Sequence, residues 1–415
     1  MLNKATSGKW ISGDVFDFLE LKRGYDLPVS QRENGAYPII ASNGLLDYHS
    51  EYMVQGPGVV TGRSGTIGKV YFVNGNYWPL NTALYVKDFK GNDALYVSYF
   101  LRALELEKYG TGTSVPTLNR NDVHKVRVAF PPLPEQKKIA RILSSVDSKL
   151  ALIDQQITTT QSLKKGLMQK LFTQGVGTQD ADGRWQPHTE FQETELGRVP
   201  MAWIATSFAK LKQDGVIDSI QDGNHGEKHP VSTDFVSEGI PFIMANCISK
   251  QNKLDTNKAA KISREQYLGL RIGFSKARDI LLTHKGTIGL TALVDKDHGE
   301  IMLTPQVTYY RVREEQSLLP EYLHAYFQSP NFQQKLKVLA AQSTRAYLGI
   351  TEQSKQLCII PSITEQKEIA CILSTVDRKL EHLQTQKAQT QQLKKGLMQK
   401  LLTGQIRVQP DPQDN

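Results

Sequence analysis

Residues 62–69 read GRSGTIGK, and their types and spacing approximate a phosphate-binding loop. In such a loop, backbone N–H groups surround the phosphates and the lysine adds a positive charge. The next residue is Val70, where a hydroxyl residue for Mg²⁺ is required, and KVYFV is typical of a strand rather than a helix. The equivalent run at 283–290, THKGTIGL, lacks the lysine. We therefore interpret the shared GTIG as a tight turn between strands that depends on glycine dihedral angles.

A rigid turn of this kind would hold its polar neighbours at a loop tip, where they suit contacts with phosphates or base edges. A plain solvated hairpin is the alternative interpretation. The candidate binding residues are Arg63, Ser64, Thr66 and Lys69 in the first run and His284, Lys285 and Thr287 in the second.

Three other stretches carry polar residues that suit binding. The loop 222–230, DGNHGEKHP, has two histidines but no nearby cysteine, so a metal site would need ligands from elsewhere. We interpret it as a polar recognition loop, and we expect no counterpart in the first half of the chain. The hydroxyl-rich stretches 110–114 and 342–345 suit phosphate binding but are also ordinary loop composition. The candidates in these stretches and beside them are His225, Lys228, Thr113, Ser114, Arg120, Thr344 and Arg345.

An internal repeat organises the chain. Residues 135–173 and 365–403 align without a gap at an offset of 230, and 25 of the 39 positions are identical. A period of this length excludes a solenoid, so each repeated unit comprises a whole domain followed by a helix.

Both copies of the repeat have the pattern of one long helix with a single apolar stripe. The stripe comprises Ile139, Ile142, Val146, Leu150, Ile153 and Ile157 in the first copy and Ile369, Ile372, Val376, Leu380 and Leu383 in the second, followed by the leucine rows Leu163, Leu167, Leu171 and Leu393, Leu397, Leu401. The stripe predicts that the two helices pack on each other, and duplication predicts that they run antiparallel about a pseudo-two-fold axis. The alternative is two separate surface helices, each docked on its own domain.

Glycines and lysines recur inside the repeated helix. Gly166 and Gly396 each cost about 1 kcal/mol in a helix interior, and their recurrence suggests a close helix approach or a hinge. The lysine pairs of LKKGLMQKL lie on a solvated helix face or form a docking surface for a partner or for DNA backbone. These candidate docking residues are Lys164, Lys165, Lys394 and Lys395.

The segments before the two helices share landmarks in the same order but have diverged in their loops. Short β-rich runs are interrupted by helical stretches without strict alternation, which predicts the α+β class. The predicted fold has two globular α+β domains joined by two long helices that form an antiparallel coiled coil. The predicted boundaries are a first domain at 1–131, a first helix at 132–175, a linker at 176–194, a second domain at 195–360, a second helix at 361–404 and a tail at 405–415.

Composition narrows the class of protein. The chain has 415 residues and a net charge of +8, which favours a polyanionic partner. We expect neither a membrane span nor a secretory signal, since no apolar run approaches ~18 residues. The three widely spaced cysteines form no disulfide or metal framework, which fits a reducing cytoplasm. No catalytic Ser/His/Asp order is present, and no GxGxxG opens a helix, so we expect a recognition protein without chemistry or a metal of its own.

The order of variable domain, PLPEQKKIARILSSVDSKL, second variable domain and PSITEQKEIACILSTVDRKL resembles the specificity subunit of type I restriction-modification systems. The resemblance covers nearly the whole chain. Its most specific parts are the two EQ-x₂-IA-x-IL helix starts, ETELGRVP before the second domain, and DGNHG…GIPF…DILLTHKGTIG within it. The first domain has no ELGRVP-like start.

The resemblance implies a non-catalytic subunit that recognises double-stranded DNA. Each globular domain would read one half of a bipartite asymmetric site, while the helices would set the spacer length and dock two methyltransferase subunits. Two restriction–translocase subunits would join the full complex. S-adenosylmethionine, ATP and Mg²⁺ would bind to these partners and no cofactor to this chain. A non-catalytic adaptor with two protein-binding heads is one alternative, and a nucleotide hydrolase using 62–69 is another.

Overall fold

The computed structural model describes residues 9–112, 115–226, 228–313, 315, 317–341 and 347–411. The chain forms two compact units, one comprising Met1–Gln156 and Leu383–Asn415 and the other Ile157–His382. Both boundaries lie inside a long helix. Each unit therefore contains one globular head and part of both long helices.

The head of the first unit, head 1, is an α+β domain. Its elements are β1 (Ile11–Asp14), α1 (Val15–Phe18), β2 (Glu20–Arg23), β3 (Tyr37–Ala41), β4 (Gly44–His49), β5 (Gly58–Gly62), β6 (Val70–Val73), β7 (Trp78–Pro79), β8 (Ala83–Asp88), α2 (Ala94–Ala103), β9 (Gly110–Thr111), β10 (Thr117–Leu118), α3 (Arg120–His124) and β11 (Arg127–Phe130). The strands form an antiparallel sheet in the order β2-β8-β5-β6, a smaller sheet β4-β3-β7 with β3 parallel to β7, and the pairs β1-β11 and β9-β10.

The first long helix, α4 (Leu133–Leu171), follows head 1 and is succeeded by the linker and the second head, head 2. The elements are β12 (Thr178–Gln179), β13 (Trp185–Gln186), β14 (Phe191–Thr194), β15 (Gly197–Pro200), β16 (Ile204–Ser207), α5 (Phe208–Gln213), β17 (Ile217–Asp222), β18 (Ile240–Ile243), β19 (Ala260–Ile262), α6 (Arg264–Gly269), β20 (Phe274–Ser275), β21 (Ile280–Lys285), β22 (Thr287–Leu293), β23 (Ile301–Leu303), β24 (Val307–Val312), α7 (Pro320–Phe327), α8 (Pro330–Ala341), α9 (Ile350–Lys355) and β25 (Leu357–Ile360). The second long helix, α10 (Ile363–Leu402), follows head 2.

Head 2 repeats the sheet order of head 1. Its four-stranded antiparallel sheet β17-β24-β21-β22 corresponds to β2-β8-β5-β6, and its pair β16-β25 corresponds to β1-β11. The sheet β19-β18-β23-β20 again contains one parallel pair, β18 with β23. The two heads therefore share the order of the main sheet and its flanking pair, while the second sheet has three strands in head 1 and four in head 2. The α+β prediction is confirmed.

The two long helices run antiparallel within each unit. In the first unit, Asp147 of α4 pairs with Lys394 of α10, and Asp154, seven residues further along α4, pairs with Lys387, seven residues back along α10. The alternative of two separate surface helices is wrong, because α4 and α10 contact each other through these ion pairs.

Both helices also contribute to the core of each head. In the first unit, Ile139 and Leu143 from the start of α4 share a buried cluster with Leu401 from the end of α10. In the second unit, Ile369 and Leu373 from the start of α10 are buried with Met168 and Leu171 from the end of α4, among other residues. Each head is therefore packed against the start of one helix and the end of the other.

Two details of the helix prediction are wrong. Leu163 and Leu393 are 54% and 55% exposed, so the first leucine of each row lies outside the buried stripe. At Gly166 and Gly396, nothing in the described structure lies within 4 Å of where a Cβ atom would be. The helices therefore make no close approach at these glycines, and both continue through them without interruption.

Within the described residues, none of the helices is apolar over the length that a bilayer crossing requires.

Candidate nucleic-acid interface

The predicted GTIG turns connect antiparallel neighbours in both heads. In head 1 the loop 63–69 joins β5 to β6, and Gly65 and Gly68 have φ of 85° and 87°. In head 2, Gly286 joins β21 to β22 with φ of 78°. These backbone conformations favour glycine, so the predicted dependence on glycine is confirmed. The turn is tight in head 2 only, because residues 63–69 form a longer loop in head 1. Because a strand follows, the loop lacks the helix N-terminus of a nucleotide-binding loop.

Backbone hydrogen bonds hold the tip of head 1. The N–H groups of Arg63 and Ser64 both donate to Thr82 O, at 2.9 and 3.1 Å, and Gly65 N donates to Pro116 O at 3.0 Å. The Arg63 guanidinium is half-buried and donates from Nε to Asn81 O at 2.9 Å. Arg63 therefore positions the residues beside the tip, with less freedom to reach a ligand than its place in the sequence suggested.

A cleft of about 550 Å³ lies beside this tip in head 1. Its polar lining is contributed by the segment after β2, the β3–β4 turn, the GTIG loop and the segment before β8. The polar lining residues are Asp26, Arg32, Ser42, Asn43, Thr66, Asn81 and Thr82. Asn81 Nδ2 donates to Asp26 Oδ1. Carboxylate and amide groups are the side chains that pair with base edges of cytosine and adenine, so the cleft has the chemistry for base contact.

Among these lining residues, the sequence predicted only Thr66. Asp26, Asn43 and Asn81 were missed, because they come from segments far apart in the chain. The Asn43-Gly44 dipeptide is a strong hairpin signal, and it could have indicated that Asn43 lies at a turn.

Head 2 builds the same framework around different side chains. Gly223 corresponds to Gly24, because each glycine lies against a backbone carbonyl at an equivalent place. A Cβ atom added at Gly223 would lie 2.0 Å from Thr304 O, and one added at Gly24 would lie 2.2 Å from Leu80 O. The N–H of Gly223 donates to Val307 O and the N–H of Gly24 donates to Ala83 O, both at 3.0 Å. Val307 and Ala83 are the first residues of the equivalent strands β24 and β8. The expectation that DGNHG has no counterpart is therefore wrong. RGYD at 23–26 occupies its place without sharing its sequence.

This correspondence aligns the segments beside the loop tips of the two heads. Ser42 N donates to the Thr82 side chain in head 1, and Ala245 N donates to the Gln306 side chain at the matching position in head 2. By the same alignment, Asp26 corresponds to His225, and Asn43 corresponds to Asn246. The shared framework therefore presents a carboxylate in one head and an imidazole in the other.

His284 is not at the surface as predicted. It corresponds to Arg63, but its side chain is completely buried, with Nε2 3.3 Å from Asp222 Oδ1. Its ring lies 5.6 Å from that of Tyr347. Burial lowers the pKa of His284 from its usual value, while the Asp222 carboxylate opposes the shift. His284 therefore joins the start of the 222–230 loop to the hairpin from beneath, and a ligand at the surface cannot contact it.

The other described candidates of both heads lie at or beside the loop tips. Lys285, Thr287, His225 and Lys228 are exposed, and Lys228 lines a smaller cleft of about 290 Å³. In head 1, Ser64 and Lys69 lie on the loop, and Arg120 is exposed at the start of α3. Thr113, Ser114, Thr344 and Arg345 lie outside the described residues. Residues that follow these stretches do contact the loop tips. Thr117 forms a β-bridge with Ser64 in head 1, and Tyr347 forms one with Lys285 in head 2.

The proposed docking lysines divide into two kinds. Lys164 and Lys394 have side chains only 18% and 22% exposed, and they pair with Asp377 and Asp147 at 2.6 and 2.5 Å. Their charges are therefore directed at the neighbouring helix. Lys165 and Lys395 are exposed and available to a partner.

Sequence reasoning also missed the function of the Glu-Gln pair that starts each repeated helix. Gln136 accepts a hydrogen bond from Asp93 N at 3.0 Å and donates to Pro131 O. Gln366 repeats both contacts with Leu319 N and Pro361 O. In each head the glutamine thus accepts a hydrogen bond from the backbone N–H of the residue that caps a head helix, α2 or α7. This contact fixes the head on the long helix.

The glutamates bind the segment that follows the opposite helix. Glu135 accepts from Arg407 Nε and Nη2 at 2.8 and 2.6 Å. Glu365 is 1% exposed and accepts from Val176 N at 2.8 Å, Gly177 N at 3.0 Å and Trp203 Nε1 at 2.8 Å. His188 Nε2 lies 3.1 Å from the same carboxylate. The Glu-Gln pair is identical in both copies of the repeat, and this identity was the signal in the sequence that could have indicated its function.

Residues 9–160 and 217–392 match the profile of the type I restriction modification DNA specificity domain. The chain belongs to this family. It is 29% identical over 329 residues to the type I restriction enzyme MjaVIII specificity subunit of Methanocaldococcus jannaschii, covering 76% of this chain and 71% of that one. It is 24% identical over 258 residues to the type I restriction enzyme EcoBI specificity subunit of Escherichia coli, and this match covers 61% of this chain and 52% of that one.

Solved structures show the same fold. The S subunit of the type I restriction-modification system from M. genitalium superposes with a TM-score of 0.61 at 13% identity, covering 97% of this chain and 98% of that one. The resemblance seen in the sequence is thus confirmed. The protein is a type I restriction-modification DNA specificity subunit, and the loop tips and clefts of its heads are the natural candidates for DNA contact.

Proposed function

We propose that each head of this specificity subunit reads one half of a bipartite, asymmetric site in double-stranded DNA. The observation that carries the proposal is the shared backbone framework around Gly24 and Gly223, which presents Asp26 in head 1 and His225 in head 2. A carboxylate accepts hydrogen bonds, whereas an imidazole both donates and accepts, so equivalent positions would select different base edges. An asymmetric site follows from this difference.

The long helices set the length of the non-specific spacer between the half-sites. Each helix of 39 or 40 residues is roughly 60 Å long, while half-sites one turn of DNA apart are separated by about 34 Å. Each helix carries one head at its start through Gln136 or Gln366, which supports a rod that holds both heads in fixed positions. Inserting a few residues into both helices should change the spacer but leave the half-site bases unchanged.

The same helices dock two methyltransferase subunits, and two restriction–translocase subunits join the full complex. Duplication supports this proposal, because equivalent exposed residues such as Lys165 and Lys395 offer the same contact twice. The subunit itself is non-catalytic and cytoplasmic. S-adenosylmethionine, ATP and Mg²⁺ bind to the partner subunits.

The heads carry little excess charge for phosphate contacts. Residues 1–130 contain 14 basic and 12 acidic residues, and residues 195–360 contain 20 and 17. Affinity for DNA backbone rises with the number of neutralised phosphates, so the isolated chain should bind DNA weakly and its methyltransferase complex much more tightly. A nanomolar affinity of the isolated chain that does not depend on salt would contradict this part of the proposal.

The decisive experiment exchanges head 1 for that of another specificity subunit and expresses the chimera with the cognate methyltransferase. Single-molecule sequencing of the methylated genome should show one half-site changed, with the other half-site and the spacer retained. Unchanged methylation would refute DNA reading by head 1 and favour the adaptor with two protein-binding heads.

A further inference from the structure

The ion pairs between α4 and α10 include two that are equivalent under the repeat. Asp147 and Asp377 occupy matching positions, as do Lys164 and Lys394. The first unit contains the pair Asp147–Lys394 and the second contains Lys164–Asp377. Each pair therefore joins a lysine near the end of one helix to an aspartate near the start of the other, and the chain makes this contact twice.

Each pair also contacts the head of its own unit. Asp147 Oδ2 accepts a hydrogen bond from the Tyr99 hydroxyl of α2 at 2.7 Å, and Lys394 Nζ lies 5.7 Å from the centroid of the Tyr99 ring. In the second unit, Lys164 Nζ donates to Gln328 Oε1, just after α7, at 3.2 Å. Helix, partner helix and head are thus held together at a single point in each unit.

The lysine side chains at these points are largely removed from water. Lys164 is 18% exposed and Lys394 is 22% exposed, whereas the adjacent Lys165 and Lys395 are exposed. The paired aspartates are 42% and 34% exposed, so each ion pair is partly buried, and removing the aspartate should destabilise its lysine. Sliding one helix along the other would separate both equivalent pairs at once.

We propose that Lys164–Asp377 and Lys394–Asp147 fix the register of the two helices and thereby select one spacer length in the DNA site. The inference rests on the proposed function, in which the helices separate the two reading heads. A slip of one helical turn moves a helix by about 5.4 Å, which corresponds to one or two base-pair steps of about 3.4 Å. Lys164 and Lys394 are positioning residues, and they act on spacer choice without touching DNA.

The test is a selection of DNA duplexes from a random-sequence library by the full chain in complex with its cognate methyltransferase. Three variants are compared with the unsubstituted protein. Lys164→Asp places like charges opposite each other, Lys165→Asp makes the same change at the exposed neighbour, and Lys164→Asp with Asp377→Lys restores the pair in reverse. The Gln328 amide can donate to the introduced carboxylate as readily as it accepts from Lys164.

The unsubstituted chain should select two half-sites at one spacer. In Lys164→Asp, preference for that spacer over spacers changed by one or two base pairs should fall at least about tenfold, while the half-site bases stay the same. Lys165→Asp should keep the preference, and the reversed pair should recover it. If Lys164→Asp does not fold, the neutral Lys164→Met variant, which keeps the apolar stem, should show the same loss.

Two results would overturn the inference, and they are distinguishable. Retention of the spacer preference in both Lys164→Asp and Lys164→Met, with both half-sites still selected, would show that other contacts set the register and would leave the proposed function intact. Selection of no bipartite site by the methyltransferase complex of the unsubstituted chain would refute the proposed function and this inference with it.

Discussion

Replacing Glu365 with glutamine tests whether the start of α10 holds the segment that follows α4. The two carboxylate oxygens divide the donors between them: Oε1 accepts from Val176 N and Gly177 N, and Oε2 accepts from Trp203 Nε1. A glutamine of the same size must point its NH₂ group at one of these sets. In either orientation, at least one buried N–H faces another donor.

The magnitude follows from the burial of the site. Hydrogen bonds to a charged acceptor contribute about 1.5–3 kcal/mol each, and a buried donor left without an acceptor costs about 1–3 kcal/mol. One lost bond and one unsatisfied donor together should destabilise the contact by about 3–5 kcal/mol. Opening of the 173–178 segment should then become roughly a hundred- to several thousandfold more frequent, since each 1.4 kcal/mol is a factor of ten.

Hydrogen–deuterium exchange of the full chain, read by mass spectrometry, measures this opening directly at the amides of Val176 and Gly177. Glu368→Gln, on the same turn of α10 but only half-buried, is the matched control and should change exchange little. Exchange in Glu365→Gln within about threefold of the unsubstituted chain would correspond to less than 1 kcal/mol. That result would refute a structural function for the carboxylate.

Three further outcomes are expected. Burial, with a smaller contribution from a nearby lysine, lowers the pKa of His324 to about 4, so the unfolded chain binds a proton first as the pH falls. The free energy of unfolding should therefore decrease by up to about 3 kcal/mol from pH 6.5 to pH 4, and His324→Gln should flatten this dependence in urea titrations. Gly24→Ala and Gly223→Ala should each destabilise their own head by at least about 2 kcal/mol in thermal unfolding, because the new methyl group meets a backbone carbonyl, whereas Gly75→Ala, with open space around it, should be neutral. Asn43→Ala should weaken base preference in one half-site by about ten- to a hundredfold in duplex selection and leave the other unchanged, and equal changes in both half-sites would contradict separate reading by the two heads.

The parts of the fold that depend on local periodicity were predictable from the sequence. The repeat of 39 residues predicted two helices, and the structure has them at Leu133–Leu171 and Ile363–Leu402. The GTIG runs predicted turns that need glycine, and positive φ values confirm them. Local rules fail where burial depends on a distant segment: Leu163 continues the apolar row in sequence but lies exposed, on a face of α4 that the described elements leave uncovered.

The candidate site was predictable only in outline. Its loop tips could be located because glycines mark the turn, but the opposite wall of the cleft comes from Asp26, Asn43 and Asn81, which have no shared motif. His284 illustrates the same limit. Its neighbours in sequence indicate a loop tip, yet the strand pairing of β21 places its side chain beneath the tip and beside Asp222.

The sequence by itself determined the duplication, the two α+β heads and the two amphipathic helices, because helix periodicity, turn glycines and internal identity are local properties of the chain, and its motifs resembled those of specificity subunits. Only the tertiary structure decided how these parts are joined. Glu135, Glu365, Lys164 and Lys394 would read as ordinary surface charges on a helix. Each acquires its function from a partner more than 180 residues away, and the burial that makes those contacts strong exists only after the distant segments have met.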